Sequence, residues 1–209
     1  MMKARFRTAN GRVTIVQVYA PTANSTEQEI EEFYSTLQQT MREIPSQDLI
    51  VVMGDLNAKI GADWRTWKGA IGKFGYEEEN ERGERLLNFC LNNDLRVMNT
   101  VFYQKKNSRK WTWESPDGKT KNRIDYILVN NRWKSAVSMC RSFSKPDVAS
   151  DHKLVMAGIR LKMRTVYKEK PGRRFDVEKL EDEAVRKQFN DQLSKRWRQV
   201  QGKNTDTVE

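Results

Sequence analysis

The sequence is poor in the residues that build disulfide frameworks, zinc sites and membrane spans. Its 209 residues include one histidine and two cysteines, Cys90 and Cys140. Two cysteines cannot form a disulfide framework or a closed zinc site, so we expect reduced thiols in an intracellular protein. No apolar run approaches the roughly 20 residues that span a bilayer. No apolar stretch follows the first charged residues either, so we expect neither a membrane protein nor a secretory signal.

Charge is unevenly distributed along the chain. The 38 basic and 28 acidic residues leave a net charge of +10. Residues 24–57 carry one basic and seven acidic side chains, whereas residues 96–146 carry twelve basic and three acidic ones. A strongly basic segment in a folded chain suggests a polyanionic partner. An ordinary surface rich in lysine is an equally open alternative.

Apolar periodicity predicts alternating strands and helices as far as residue 161. This alternation is typical of a mixed α/β layered domain. The first expected elements are a hairpin over 3–20 that turns at Asn10-Gly11 and a helix capped by Ser25 or by Thr26, the latter in a capping box with Glu29. The others are, in order, a buried strand over 49–53, a helix around 86–91, a strand over 95–98, a hairpin of 111–113 with 124–129, and a strand over 153–161.

The character of the sequence changes after residue 161. We expect one domain over residues 1–161, a basic linker over 162–175, a charged amphipathic helix over 176–200 and a disordered tail over 201–209. The apolar side of the helix could bind a partner. A packing helix is the favoured interpretation.

Polar side chains that suit phosphate chemistry stand at the predicted ends of strands. His152 follows Asp151 before one strand, Asp55 and Asn57 follow another, and Asp125 begins a third. Layered folds usually build their sites in such positions. Carboxylate oxygens suit magnesium, and a histidine oriented by an aspartate can transfer a proton. Each of these signals is weak by itself.

Four motifs in a fixed order give these signals a common meaning. Over residues 4–161 the sequence resembles the endonuclease/exonuclease/phosphatase family and, within it, the endonuclease domain of non-LTR retrotransposon polyproteins and host proteins of the craniofacial development protein 2 type. Residues 80–89 and 112–118 add further similarity to this group. The four motifs are Gln17-Val18-Tyr19-Ala20-Pro21-Thr22, Gly54-Asp55-Leu56-Asn57-Ala58, Arg123-Ile124-Asp125-Tyr126-Ile127-Leu128 and Ser150-Asp151-His152.

The resemblance implies a fold and a reaction. The fold is an α/β (α+β) four-layer sandwich of two packed sheets, here with a C-terminal helical tail. The reaction is hydrolysis of phosphodiester bonds in DNA with a divalent metal ion, Mg2+ or Mn2+. Tyr19 would contact the scissile phosphate, Asp55 would polarise the attacking water or protonate the leaving group, and Asn57 would hold the phosphate and the water.

The same resemblance assigns the metal ion and the proton transfer to the last two motifs. Asp151 would be a metal ligand. His152 would accept a proton or stabilise the phosphate, with Asp125 fixing its tautomer. The physics agrees, since a cation neutralises charge that grows on phosphate oxygens, and a fixed amide and imidazole add hydrogen bonds there.

Family members begin with strands that supply an asparagine and a metal-binding glutamate before the Tyr-Ala-Pro motif. Only about fifteen residues precede that motif here. We therefore expect the chain to correspond to the latter part of the domain. Two consequences follow: activity should be impaired, and exposed strand edges should favour self-association.

The basic segment supplies candidate contacts to DNA phosphates. Trp111 and Trp113, two positions apart on a predicted strand, are expected to share one face and pack into the core. Trp64 and Trp67 would either contact DNA or form a local hydrophobic plug. The candidate DNA-binding residues are Lys105, Lys106, Arg109, Lys110 and Arg123.

Two other functions stay open at this point. One is a catalytically inactive remnant that binds nucleic acid, and the other is a family phosphatase that acts on small phosphate esters. The basic segment and the retrotransposon-like motifs weigh against the phosphatase. A DNA substrate would suit a nuclear location.

Overall fold

The computed structural model describes residues 1–143, 150–161 and 177–203. The chain divides into two compact units, Met1–Met163 and Arg164–Glu209. All strands of the described residues lie in the first unit. The expected basic linker over 162–175 lies outside the described residues.

Five strands form the central sheet of the first unit, and the most apolar one lies in its middle. The run Leu49–Val52 is buried on both faces, which suits a strand that is covered by a layer on each side. The strand that contains this run pairs in parallel with the neighbour on one side and antiparallel with the neighbour on the other. From one edge to the other the strands are β1 (Met2–Thr8), β2 (Gly11–Tyr19), β3 (Leu49–Asp55), β7 (Asp125–Asn130) and β4 (Leu95–Val97).

One face of the sheet packs against two helices. α1 (Glu27–Arg42) begins at the predicted capping box, in which the side chains of Thr26 and Glu29 each accept from the other residue's backbone N–H. α2 (Glu81–Asn92) begins at Asn80, whose side chain caps the first turn. The apolar sides of both helices share a core with alternate strand residues, which includes Val16, Val18, Leu37, Val52, Leu86, Leu87 and Leu128.

The other face of the sheet packs against a second, smaller sheet. β8 (Val137–Phe143) and β9 (Leu154–Ile159) pair antiparallel, and Cys140 of β8 joins a core with Val51 and Val129. Helices, sheet and sheet therefore lie in successive layers, and the predicted mixed α/β sandwich is confirmed.

The prediction that residues 111–113 pair with residues 124–129 in a second hairpin is wrong. β5 (Trp113–Glu114) pairs with β6 (Lys121–Asn122), and the apolar run expected to complete the hairpin forms β7 in the central sheet. Residues 126–130 of β7 are all buried, so this run removes more apolar surface from water as an inner strand than it would in an exposed hairpin. The sequence pattern does not predict β8.

The second unit, as far as it is described, is a helix preceded by a short turn. α3 (Glu183–Lys203) begins later than the predicted residue 176, because Asp182 caps it by accepting from the N–H groups of Ala184 and Val185. A 3-10 turn at Val177–Leu180 precedes it. The helix reaches three residues into the expected tail, and the remaining tail residues lie outside the described ones.

Six strands have an edge that no other described strand covers. They are β1 and β4 of the central sheet and β5, β6, β8 and β9 of the two-stranded sheets. Uncovered edges can pair with another chain, so the expected self-association stays a prediction. None of the helices in the described ranges combines the length and the apolar character that a bilayer crossing requires.

The register of the central sheet places three site candidates side by side. Tyr19 pairs with Asp55, and Asp55 pairs with Asp125. Gly54 makes this alignment possible, since a Cβ atom there would lie 1.9 Å from the carbonyl oxygen of Val18. The φ angle of Gly54, +142°, is also one that residues with a side chain rarely adopt.

We expect Gly54→Ala to lower the free energy of unfolding by about 3 kcal/mol or more, because the added methyl group has to displace the backbone of β2. Gly118→Ala is the matched control: Gly118 also has a positive φ, but an added Cβ there meets no atom closer than 3.8 Å. The control should lose only about 1 kcal/mol from left-handed strain. Urea denaturation measures both losses, and equal losses would contradict the close approach at Val18.

Candidate functional site

Five of the six residues predicted to do chemistry line one basin at an end of the central sheet. The basin has a volume of about 450 Å³. It lies at the ends of β2 and β3 and at the start of β9. Asp125, the sixth residue, is bonded to one of the five. Those five are Tyr19, Asp55, Asn57, Asp151 and His152.

His152 is oriented by a carboxylate. Its Nδ1 lies 3.0 Å from Oδ2 of Asp125, and because a carboxylate only accepts hydrogen bonds, Nδ1–H is the donor. Nε2 is then the ring nitrogen that can accept a proton. The backbone of Asp125 is fixed on both sides: its N–H donates to Oγ1 of Thr112 and its carbonyl accepts from Asn99, both at 3.1 Å.

Asp55 is a half-buried carboxylate that is crowded by other carboxylates. Burial raises the pKa of Asp55 above its usual range, and the charges of Asp125 and Asp151 raise it further. The N–H of Asn57, which donates to Oδ1 of Asp55 at 2.9 Å, and the charge of His152 oppose this rise. Among the described residues, no lysine or arginine forms an ion pair with Asp55. A bound cation would supply the missing positive charge.

Asn57 and Tyr19 stand at the rim with polar groups available to a ligand. Nδ2 of Asn57 donates to the carbonyl of Ala20 at 2.9 Å, and the N–H of Ala20 in turn donates to the carbonyl of Asp55 at 2.8 Å. The amide of Asn57 keeps one hydrogen and its oxygen for other partners. Tyr19 is 68% exposed, so its ring and hydroxyl are open to a ligand.

A short hairpin strand holds Asp151 in place. The N–H of Glu114 donates to the carbonyl of Asp151 at 3.1 Å, and the N–H of Lys153 donates to the carbonyl of Thr112 at 2.7 Å. Beside this backbone pairing, Nε1 of Trp113 donates to Oδ2 of Asp151 at 2.7 Å. This hydrogen bond is the main reason that the pKa of Asp151 lies below its usual range. Trp113 therefore fixes one carboxylate oxygen and leaves the other free of that bond.

Three side chains among the described residues are close enough to share a metal ion. One ligand atom from each of Asp55, Asp125 and His152 lies within 4.8 Å of the other two. The Nδ1 atom of His152 is already bonded to Asp125, and magnesium prefers oxygen to imidazole nitrogen. The carboxylates of Asp55 and Asp125 are thus donors that fit a hard divalent cation, whereas His152 is better suited to proton transfer. Asp151, the predicted metal ligand, lines the same basin but does not belong to this group of three.

The predicted DNA-binding residues differ in their exposure. Arg123 is 3% exposed, and its Nε donates to the carbonyl of Lys110 at 2.6 Å. Burial lowers the pKa of Arg123. The prediction that Arg123 contacts DNA is wrong, because its guanidinium group is used inside the fold to bind loop carbonyls. The other candidates lie on one loop, where Lys105 and Lys106 are exposed and Arg109 and Lys110 are half-buried.

Trp113 is the functional residue that the sequence pattern misses. Spacing predicts that Trp111 and Trp113 share a core face, and Trp111 is indeed buried, but Trp113 is half-buried and lines the basin. Its position depends on a bridge to His152, which is distant in sequence, and no local pattern reveals such a bridge. Trp64 and Trp67 pack against the helix-side core, which favours the hydrophobic plug over a DNA contact.

Comparison with known proteins identifies the family. Residues 13–156 match the family model described as endonuclease-reverse transcriptase. Craniofacial development protein 2 of Bos taurus is 40% identical over 182 residues, which cover 87% of this chain and 30% of that protein. The chain therefore spans less than a third of the length of this curated relative.

Solved structures share the fold at low sequence identity. The endonuclease domain of TRAS1, a telomere-specific non-LTR retrotransposon, has a TM-score of 0.54 and 20% identity, and the match covers 76% of this chain and 61% of that chain. The 3′ phosphatase NExo from Neisseria, bound to a product DNA hairpin, has a TM-score of 0.50 and 18% identity, with 75% and 64% covered. The four-layer fold predicted from the motifs is that of these neighbours. The chain belongs to the endonuclease-reverse transcriptase family, within the endonuclease/exonuclease/phosphatase fold.

Proposed function

We propose that this site hydrolyses phosphodiester bonds in DNA with a divalent metal ion, as an endonuclease domain of retrotransposon origin. The observation that carries the proposal is the hydrogen bond between Asp125 and His152 beside the Asp55 carboxylate. Family membership supports hydrolysis of phosphate esters in general. The printed descriptions of the two structural neighbours, a retrotransposon endonuclease domain and a phosphatase bound to DNA, favour DNA as the substrate.

His152 is the residue that we assign to proton transfer or phosphate stabilisation. With Nδ1–H donating to Asp125, Nε2 accepts a proton from the nucleophile or, once protonated, donates to a phosphate oxygen. The carboxylate of Asp125 stabilises the protonated ring, so it fixes both the tautomer and the charge. A well-positioned acid or base is typically worth ~10²–10⁴ in rate.

Asp151, with Asp55 beside it, would hold the Mg2+ or Mn2+ ion. When bound, such an ion neutralises the charge that develops on the phosphate oxygens. Trp113 fixes the Asp151 carboxylate for this purpose. A bound cation favours the ionised form of Asp55 over the protonated one, so the Asp55 carboxylate would polarise the attacking water.

Tyr19 and Asn57 are assigned to hold the substrate phosphate. The phenol of Tyr19 donates a hydrogen bond, and the Asn57 amide, which keeps one free hydrogen and its oxygen, contacts the phosphate and the attacking water. Tyr19 is the last residue of β2 and is paired with Asp55. Asn57 follows β3 and is held by its hydrogen bonds to Asp55 and Ala20, so a phosphate meets a backbone that is already in place.

The loop before Trp111 supplies positive charge for the nucleic-acid backbone. Lys105 and Lys106 are exposed, and within the described ranges neither forms an ion pair. Free ammonium groups on an exposed loop can neutralise phosphates and release counterions. We further propose a nuclear location, which suits a DNA substrate.

Nicking of supercoiled plasmid tests the proposed reaction. We expect nicking that needs Mg2+ or Mn2+. His152→Ala, which has no proton acceptor at this position, should nick DNA at least about 10²-fold more slowly than the wild type. Asp125→Asn should lose a similar factor, because its neutral amide no longer stabilises the protonated ring. Asp117→Asn, which makes the same chemical change on an exposed turn, is the control. Metal-independent nicking, or full activity of His152→Ala, would contradict the assignment, and DNA binding without nicking would favour the inactive remnant.

The crowded carboxylates predict opposite effects of two Asp→Asn changes on stability in metal-free buffer. The folded-state pKa of Asp55 is raised, so ionising it opposes folding as pH rises. Asp55→Asn should therefore melt higher than the wild type at pH 7, and the difference should shrink towards pH 4. The pKa of Asp151 is lowered, so its contribution is present at neutral pH and is lost as pH falls.

Asp151→Asn should accordingly melt lower than the wild type at pH 7, and this difference should also shrink in acid. Thermal melts followed by circular dichroism at both pH values measure the two effects. A shift of the same sign in both variants would show that the carboxylates do not differ as the structure indicates.

Removal of a single indole N–H tests the positioning role of Trp113. Trp113→Phe keeps an aromatic ring but loses the bond to Asp151, so we expect half-maximal nicking to need ~10–100-fold more Mg2+, with the rate recovering at saturation. Trp67→Phe is the matched control, since it removes an indole N–H that donates to Glu79 at 2.7 Å, outside the basin. A metal requirement that rises equally in both variants, or in neither, would count against this role.

A further inference from the structure

An exposed pair of aromatic rings lies outside both cores and outside the basin. Phe74 is 38% exposed and Tyr103 is 69% exposed, and their ring centroids lie 5.5 Å apart. A single exposed aromatic residue is ordinary on a protein surface. The planes of the two rings, which come from distant positions in the sequence, are inclined by 61°, so the rings meet edge to face. Each ring therefore offers its own exposed face to a flat ligand.

The backbone holds Phe74 firmly in this position. Its N–H donates to the carbonyl of Thr100 at 2.9 Å. The chain is packed closely on both sides of it: a Cβ on Gly72 would lie 2.4 Å from the carbonyl oxygen of Thr100, and one on Gly75 would lie 2.3 Å from the Cα of Ala62. A ring on such a rigid support loses little conformational entropy when it binds a ligand.

Cationic side chains stand next to both rings in the sequence. Lys73 precedes Phe74, and Lys105 and Lys106 follow Tyr103 closely; all three lysines are exposed. The ammonium group of Lys73 lies over an indole ring, and none of the three lysines makes an ion pair with another described residue. Positive charge beside open aromatic faces is how proteins bind single-stranded nucleic acid. Charge complementarity therefore favours this ligand over an apolar peptide.

A 3-10 turn at Met98–Thr100 is bonded both to Phe74 of the aromatic pair and to the strand that carries Asp125. Thr100, at the end of the turn, accepts from the N–H of Phe74. Its neighbour Asn99 donates to the carbonyl of Asp125 at 3.1 Å and accepts from the N–H of Ile127 at 2.9 Å. The carbonyl of Phe74 also accepts from Arg123, two positions before Asp125, at 3.2 Å. The backbone that carries Phe74 and the strand that carries Asp125 are thus bonded to the same turn, and both belong to one rigid part of the fold.

We propose that Phe74 and Tyr103 form a stacking platform for unpaired bases, with Lys73, Lys105 and Lys106 contacting the backbone of the same strand. The inference rests on the proposed function, and it narrows the substrate to DNA with single-stranded or unstacked bases near the cleaved bond. A fully paired duplex offers its phosphates to the lysines, but its base faces are not available to the rings.

Two labelled strands of equal length and equal charge distinguish the contribution of base stacking to the affinity from that of the backbone charge. One is oligothymidylate, and the other is an abasic strand that has the same backbone but no bases. Fluorescence anisotropy in EDTA measures both affinities without cleavage. The wild-type chain should bind oligothymidylate ~10-fold or more tightly than the abasic strand, since stacking on aromatic side chains contributes about this much per base.

Phe74→Ala with Tyr103→Ala should bring this ratio close to one. Phe74→Tyr and Tyr103→Phe, which keep a ring at each position, should preserve the ratio. Lys105→Ala with Lys106→Ala should weaken binding of both strands by the same factor and reduce the salt dependence. Thermal melts of every variant establish that the fold is intact.

An unchanged ratio in the folded double-alanine variant would overturn the platform, and so would a wild-type chain that binds both strands equally or binds neither. Failure of the proposed hydrolysis has a different signature, namely the absence of metal-dependent nicking that requires His152. Because the binding measurement contains EDTA, ring-dependent binding without nicking would support the platform and reject the hydrolysis.

Discussion

The close parallel pairing of Val18 with Gly54 determines where the candidate site lies. Because Gly54 has no side chain, the carbonyl of Val18 comes nearer than a Cβ atom would permit, and Tyr19 and Asp55 fall side by side. The antiparallel neighbour β7 continues the row to Asp125. Both faces of these strands are covered by cores, so a slip of one residue would turn apolar side chains to the wrong face. The packing of the two cores thus fixes one half of the site, which consists of Tyr19, Asp55 and Asp125.

The other half of the site rests on a much smaller element. Trp113 belongs to a strand of two residues, and the segment with Asp151 and His152 is attached to it by a few backbone bonds. The two halves meet at the hydrogen bond between Asp125 and His152. Few buried contacts hold the smaller half, and such regions open locally at a lower free energy than a core strand. Loss of the site can therefore precede global unfolding.

Sequence signals predict the parts of the fold that depend on near neighbours. The turn at Asn10-Gly11, the cap at Thr26 and the apolar run at 49–53 each fix an element locally, and all three elements form as expected. The family resemblance also predicts the motif residues that form the site. The sequence does not predict the positions of Trp113 and Arg123, because their roles depend on partners from distant segments. Arg123 lies in a basic stretch that predicts a DNA contact, yet loop carbonyls surround it, and charge alone does not show burial.

The electrostatics of the basin bear on the proposed roles of a metal ion and of the exposed lysines. Burial, together with the charges of Asp125 and Asp151, raises the pKa of Asp55, and the same negative charges repel an approaching phosphate. Exposed lysines can attract the nucleic-acid backbone to the rim, but none of them neutralises Asp55. In the proposed mechanism, a divalent ion held by these carboxylates would supply the positive charge that attracts both the carboxylates and the phosphate. The crowding that opposes an additional negative charge in the basin would then favour binding of the cation.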